Sequence, residues 1–233
     1  MPLPPAIREN LETVRSRIVS ACLKASRDPD SVRLLAVSKT FPAESVVEAH
    51  VTGQIAFGEN YVQEGVEKIA ALANLPLEWH YIGPIQSNKT RPIAEHFAWA
   101  HAVDRLKIAE RLSAQRPPHL PDLQVCLQVN VSGESSKSGL ESAALLLLAS
   151  QVARLPRLKL RGLMAIPAPA TDLQAQRAPF RELRLLLQQL NAAGLGCDTL
   201  SMGMSADLEA AILEGATIVR IGSAIFGTRT QST

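Results

Sequence analysis

The sequence predicts a single parallel (β/α)8 barrel, TIM-like, with an additional helix at its N-terminus. Short apolar runs alternate with amphipathic stretches along nearly the whole chain, and the runs number eight. The length of 233 residues comes close to the roughly 250 that such a barrel uses. Strand then helix, repeated, calls for parallel strands joined by right-handed crossovers. An open doubly wound sheet is the alternative, but its GxGxxG turn after the first strand is absent; "SKTFP", Ser38 to Pro42, stands there instead.

From Pro5 to about Ser26, Ile7, Leu11, Val14, Ile18 and Cys22 recur at spacings of three and four, the mark of one helical face. Pro4 and Pro5 suit its first turn, where no intrahelical acceptor waits for an N–H, and "RDPD" ends it. The first strand is "RLLAVS" (33–38), and the helix after it, 43–52, is stopped by Gly53. "IAFGE" (55–59) leads into a helix over 61–73, and "WHYIG" (79–83) into one over 87–96 with a kink near Pro92. "AWAHAV" (98–103) precedes a helix over 104–114, and "QVCLQVN" (124–130) one over 141–154. "LRGLMAI" (160–166) precedes 172–193 with Pro179 near its start; "DTLSMG" (198–203) precedes 206–214, stopped by Gly215; "TIVRIG" (217–222) closes the series. No linker or composition break divides the chain. One domain therefore spans 1–233, with the extra helix in 1–30 and the barrel in 31–229, the helix lying either outside the barrel or across its bottom.

Composition narrows the function. A chain with 46% hydrophobic and 20% charged residues has a globular core, and its 24 basic and 22 acidic residues are interspersed, so no single-sign block tracks a phosphate backbone. Aromatics at 4% are too few for a base-stacking platform, and nucleic acid is not expected as a partner. The start has no apolar signal region, and the longest apolar run, "AALLLLA" at 143–149, falls far short of the roughly 20 residues of a membrane span. A cytoplasmic protein with no membrane partner is expected. Cys22, Cys126 and Cys197 show no CxxC spacing and read as buried thiols.

In a parallel barrel the site gathers at the carboxyl ends of the strands. There the sequence places Lys39, then Glu59 and Asn60, then Gln86, Asn88 and Lys89, then Asn130, then "SMGMSAD", and finally Arg220 with "IGSAIFG". Lys39 is either a salt-bridged surface lysine or a partly desolvated amine able to condense with an aldehyde. Gly222 and Ser223 form either an ordinary turn or a phosphate cup, the second reading helped by Ser201, Gly203 and Ser205 in the preceding loop. Arg220 alternates with Val219 and Ile221 and so points into the barrel, where a structural carboxylate partner is the competing explanation. "GESSKSG" is not a nucleoside-triphosphate loop, because Ser136 rather than glycine precedes Lys137; Lys137 stays the second candidate amine. His80 and His101 lie in strands, and His50, His96 and His119 on helices or in a loop, so no metal set forms. With no GxSxG, a nucleophile-elbow hydrolase is not expected either.

An aldehyde-seeking lysine, a phosphate cup and an inward arginine fit one cofactor, pyridoxal 5′-phosphate (PLP). The stretches "AVSKT", "FGENYVQE", "HYIGPIQSNK", "VNVSGESSKSG", "GLMAI", "SMGMSAD" and "VRIGSAIFGTR" resemble the PLP homeostasis protein family from Arg33 to Arg229. The resemblance implies a barrel of the alanine racemase N-terminal-domain type without a second domain. It implies that Lys39 holds PLP as a Schiff base, Arg220 meets the pyridine nitrogen, and Ser205, Gly222 and Ser223 meet the phosphate. Ser201 and Met202 would lie close by, and Asn60 would line the pocket near the ring. Phe41 departs from the more polar residue expected after "SKT".

Guanidinium can only donate, so a ring nitrogen facing Arg220 stays unprotonated and is a weaker electron sink. Racemases of this architecture add a tyrosine base from the partner subunit's second domain; this chain ends at Thr233, and its only tyrosines are Tyr61 and Tyr81. The expectation is a monomeric PLP carrier with no catalytic residue assigned, passing cofactor to PLP-dependent enzymes. A racemase or isomerase acting through Lys39 alone is the alternative, and a sugar-phosphate aldolase a third.

Overall fold

The computed structural model describes residues 7–131 and 138–227. In chain order the elements are α1 (Ile7–Lys24), β1 (Arg33–Val37), α2 (Ala43–Val51), β2 (Ala56–Glu59), α3 (Val62–Ala71) and β3 (Glu78–Tyr81). They continue with α4 (Thr90–His96), β4 (Trp99–Val103), α5 (Leu106–Gln115), β5 (Leu123–Gln128), α6 (Leu145–Val152) and β6 (Leu158–Met164). Then come α7 (Leu173–Ala192), β7 (Thr199–Ser201), α8 (Leu208–Leu213), β8 (Ile218–Ile221) and the short α9 (Ser223–Phe226). The strands pair in parallel in sequence order and close into a barrel through β8 and β1, where Leu35 stands opposite Arg220. The expected closed barrel is the one observed.

Each strand is an apolar run because helices cover one face and the lumen the other, leaving almost no position exposed. Every residue of β2, β4 and β8 is buried. Helix ends follow local chemistry: Asp172 caps α7 by accepting from the Ala175 N–H at 2.9 Å. Pro92 corrects the expected kink. It is the third residue of α4, where its missing N–H costs no hydrogen bond, and a separate 3-10 turn, Ser87–Lys89, precedes the helix. The 141–154 stretch likewise divides into a 3-10 turn, Ser142–Ala144, and α6.

Of the two placements open to the N-terminal helix, the structure takes the outer one. Helix α1 packs against α2, α8 and α9 on the barrel's flank. Arg17 makes a two-pronged ion pair with Glu209 at 2.8 and 2.9 Å, and the Asn10 amide donates to the Ile225 carbonyl of α9 at 2.8 Å. The expected helix start at Pro5 and barrel end at Arg229 lie outside the described residues, as does Lys137.

Candidate functional site

A cavity of about 560 Å³ opens at the carboxyl end of the barrel, a size suited to a cofactor or small ligand. Its polar wall is Lys39, Asn60, Ser205, Arg220 and Ser223; its apolar wall includes Val37, Phe41, Ile82, Ile166 and Met204.

Lys39 leaves β1 on a loop that is tightly held. Ser38, fully buried, donates through its hydroxyl to Glu59 Oε1 at 2.7 Å. Lys68, from α3, reaches inward and donates to Glu59 at 2.7 Å, to the Ser38 carbonyl at 2.8 Å and to Glu64 at 2.6 Å. Burial pushes the Glu59 carboxyl above its ordinary range, with the Lys68 and Ser38 bonds working against it. Thr40 sits at φ 68°, a left-handed conformation costly for a β-branched residue, and Glu64 accepts its N–H at 2.6 Å. Strain beside Lys39 is thus locked in by α3. Half-buried Lys39 itself stands at the cavity wall.

Asn60 follows β2, and its Oδ1 is buried without a hydrogen-bond partner. Its backbone is braced from β3: the Tyr81 hydroxyl donates to the Asn60 carbonyl at 3.0 Å and is directed also at the Pro84 carbonyl, 3.2 Å away. Burial pushes the Tyr81 phenol up to about 12.

On the far side, Arg220 is nearly buried and no carboxylate lies within ion-pair distance among the described residues. It donates to Ser201 Oγ and to the Ala165 carbonyl, each at 2.8 Å. Burial lowers it to about 10, with the Asp207 charge opposing, so it stays a cation at neutral pH. The carboxylate partner weighed from the sequence is therefore replaced by a hydroxyl and a carbonyl. Gly222 lies close against Val37, and the hydroxyls of Ser223 and Ser205 are 3.4 Å apart at the cavity edge. Gly203 takes φ 95°, turning the chain between β7 and Ser205.

Six residues named from the sequence line one cavity: Lys39, Asn60, Ser205, Arg220, Gly222 and Ser223. Ser201 lies beneath it, bonded to Arg220. Met202 does not reach it; it is fully buried in the core, its N–H donating to the Ile218 carbonyl at 3.1 Å, and Met204 lines the cavity instead. Ile82 and Ile166, expected inside strands, lie just past the ends of β3 and β6. Phe41 is a wall residue, its ring tilted against Phe226 with centroids 5.2 Å apart.

These groups fit PLP: an amine for an aldehyde, a buried cation with donors to spare, an unpartnered amide oxygen as acceptor and a pair of hydroxyls beside a close-packed glycine. A parallel barrel carrying these groups at its mouth defines the class, a (β/α)8 protein with an amine, a buried guanidinium and a pair of hydroxyls facing one small-ligand cavity. Residues 4–230 match the family described as "Alanine racemase, N-terminal domain". The pyridoxal phosphate homeostasis protein of Pseudomonas aeruginosa is 65% identical over 96% of each chain, and that of Vibrio cholerae 57% identical over 97% of this chain and 98% of its own. A solved structure of PipY from Synechococcus elongatus, with PLP bound, superposes with a TM-score of 0.83 at 38% identity, covering 95% of this chain and 100% of that one. The chain belongs to the pyridoxal phosphate homeostasis protein family.

Proposed function

We propose that this chain binds PLP in the barrel-mouth cavity, holds it as a Schiff base on Lys39 and serves cofactor homeostasis as a cytoplasmic, monomeric carrier. The observation that carries the reading is the convergence of Lys39, Arg220 and the Ser205–Ser223 hydroxyl pair on one cavity, in a chain whose relative PipY has a PLP-bound structure. When bound, PLP supplies an electrophilic aldehyde whose condensation with an amine releases water. The chain's residues do the rest. Lys39 offers the amine from a loop fixed by Glu59, Glu64 and Lys68; Arg220 donates toward the ring nitrogen; Ser205, Ser223 and the backbone at Gly222 receive the phosphate.

Carrier rather than racemase is supported by Tyr81, whose hydroxyl is engaged with backbone carbonyls and whose proton is held up to about 12. It is a brace, not a base. Tyr61, 52% exposed, is the residue just before α3 and is not part of the cavity wall. An arginine opposite the ring also keeps the nitrogen unprotonated, which weakens carbanion stabilisation. Handover of cofactor to PLP-dependent enzymes is the role such a carrier serves.

The test is the visible spectrum of purified protein titrated with PLP, for wild type and Lys39→Ala, followed by borohydride reduction and peptide mapping. A yellow band absent from the variant and a pyridoxyl adduct on Lys39 are expected. A colourless wild type, or an adduct on Lys137 instead, overturns the assignment. Loss of α-deuterium from amino acids far faster than with free PLP would return the racemase reading.

A further inference from the structure

Barrel lumens are ordinarily filled by layers of branched aliphatic side chains. This one holds a file of polar residues. From the cavity floor downward, Arg220 Nη1 lies 2.8 Å from Ser201 Oγ, which lies 2.8 Å from His101 Nδ1. His101 Nε2 is 2.9 Å from His80 Nδ1, and His80 Nε2 is 2.6 Å from Glu78 Oε1. Glu78, a third exposed at the opposite end of the barrel, pairs with Arg33 at 2.6 Å. The file draws on β8, β7, β4, β3 and β1, and Ser201, His101 and His80 are fully buried. Buried polar groups of this kind are costly unless every one is satisfied.

The two ends set the direction of every proton between them. Glu78 is a carboxylate, which only accepts, so His80 donates to it from Nε2. A neutral His80 then has a bare Nδ1 and accepts from His101 Nε2–H. His101 Nδ1 is bare in turn and accepts from the Ser201 hydroxyl, whose lone pairs face the Arg220 guanidinium, which only donates. Neutrality of both rings is favoured by burial, which lowers His80 and takes His101 well below the ordinary histidine value. Burial alone would raise Glu78, but the His80 hydrogen bond and the Arg33 charge outweigh it and hold the carboxyl below its ordinary range.

We propose that Glu78, His80, His101 and Ser201 form a polarised hydrogen-bond chain through the barrel lumen that orients Arg220 as a donor at the pocket floor. The site thereby selects a ring bearing a bare acceptor nitrogen. These are positioning residues, and the proposal rests on the reading that Arg220 faces the PLP ring nitrogen. Two Arg220 N–H groups are used by Ser201 and the Ala165 carbonyl, and the guanidinium lines the cavity with further N–H groups not used in those bonds.

The experiment compares the affinity of PLP with that of its 1-deaza analogue, which keeps the aldehyde and phosphate but has C–H in place of the ring nitrogen. Wild type should prefer PLP by about tenfold or more, the size of one charge-assisted hydrogen bond. In His101→Leu and in the milder Glu78→Gln the preference should fall below about threefold while the analogue binds nearly as in wild type. A purely structural role would weaken both ligands alike and leave their ratio intact. Undiminished preference in both variants overturns the chain while leaving the Arg220 reading standing. No preference in wild type overturns the Arg220 reading itself. Should the variants fail to fold, long-range ¹⁵N–¹H spectra of the wild-type protein decide: Nε2–H on both histidines is expected, and Nδ1–H on either overturns the proposal.

Discussion

At the scale of single residues, the cavity depends on places where a side chain has no room. A β-carbon added at Gly83 would run into the Asn60 carbonyl, which is backbone and cannot swing aside. At Gly222 the nearest atoms would be the Val37 carbonyl at 3.2 Å and the Val37 β-carbon at 3.4 Å, a tight contact rather than a collision. Gly83→Ala should therefore cost about 1–3 kcal/mol by overpacking and displace Asn60. Gly222→Ala should cost less than about 1 kcal/mol in stability and, if Gly222 meets the phosphate as proposed, weaken PLP binding. Urea midpoints for the two variants test the order, and a larger loss for Gly222→Ala would contradict it. Lys39 and Arg220 were legible at this scale because strand ends and strand alternation place them without tertiary knowledge. Met202 came only from the family resemblance, and in the structure it is fully buried in the core next to Ser201 rather than in the cavity wall.

At the scale of elements, the strands and helices were legible nearly throughout because a parallel sheet under helices demands apolar runs of one kind and amphipathic runs of the other. What the periodicity concealed is the service α3 performs for the site. Lys68 reads as part of that helix's polar face, yet it is buried and turned toward Glu59, which is entirely enclosed. Lys68 also bonds the Ser38 carbonyl and Glu64, and Glu64 accepts the N–H of the strained Thr40, so the group holds the turn that carries Lys39. Removing either Lys68 or Glu59 strands the other's charge. Lys68→Met should destabilise the protein by about 3–5 kcal/mol, and adding Glu59→Gln should recover much of that loss, because the uncompensated carboxylate is gone. Chemical denaturation of the single and double variants checks this; a double variant no better than the single would mean that packing, not charge, sets the cost.

At the scale of the whole molecule, barrel closure decides which side chains meet, and closure is what local reading misses. Strand alternation turns His80 and His101 inward, but only the closed sheet sets His101 against Ser201, a hundred residues along the chain, and joins both to Arg220. That assembly has a consequence for stability against pH. The folded state holds both imidazoles below their ordinary value of 6.5, chiefly by burial, whereas the unfolded chain protonates them there. Below about pH 6.5 the unfolded state thus binds more protons, and stability falls as pH drops, by up to about 1.4 kcal/mol per pH unit for each histidine. Glu78, held below its ordinary 4.5, adds a second loss of the same sign that begins only below about pH 4.5. Glu59 and Asp207, raised chiefly by burial, act in the opposite sense as pH falls, so the histidine contribution is read from the difference between wild type and a variant lacking one imidazole, between about pH 6.5 and 5. In His101→Leu one of the two imidazoles is gone, so the urea midpoint should fall less steeply, or rise more, than in wild type as pH drops across that interval, whatever the variant's starting stability. An unchanged slope would mean that His101 gains its proton as readily in the folded barrel as in the open chain, and a lumen that let it do so could not keep the hydrogen-bond chain pointed from Arg220 to Glu78.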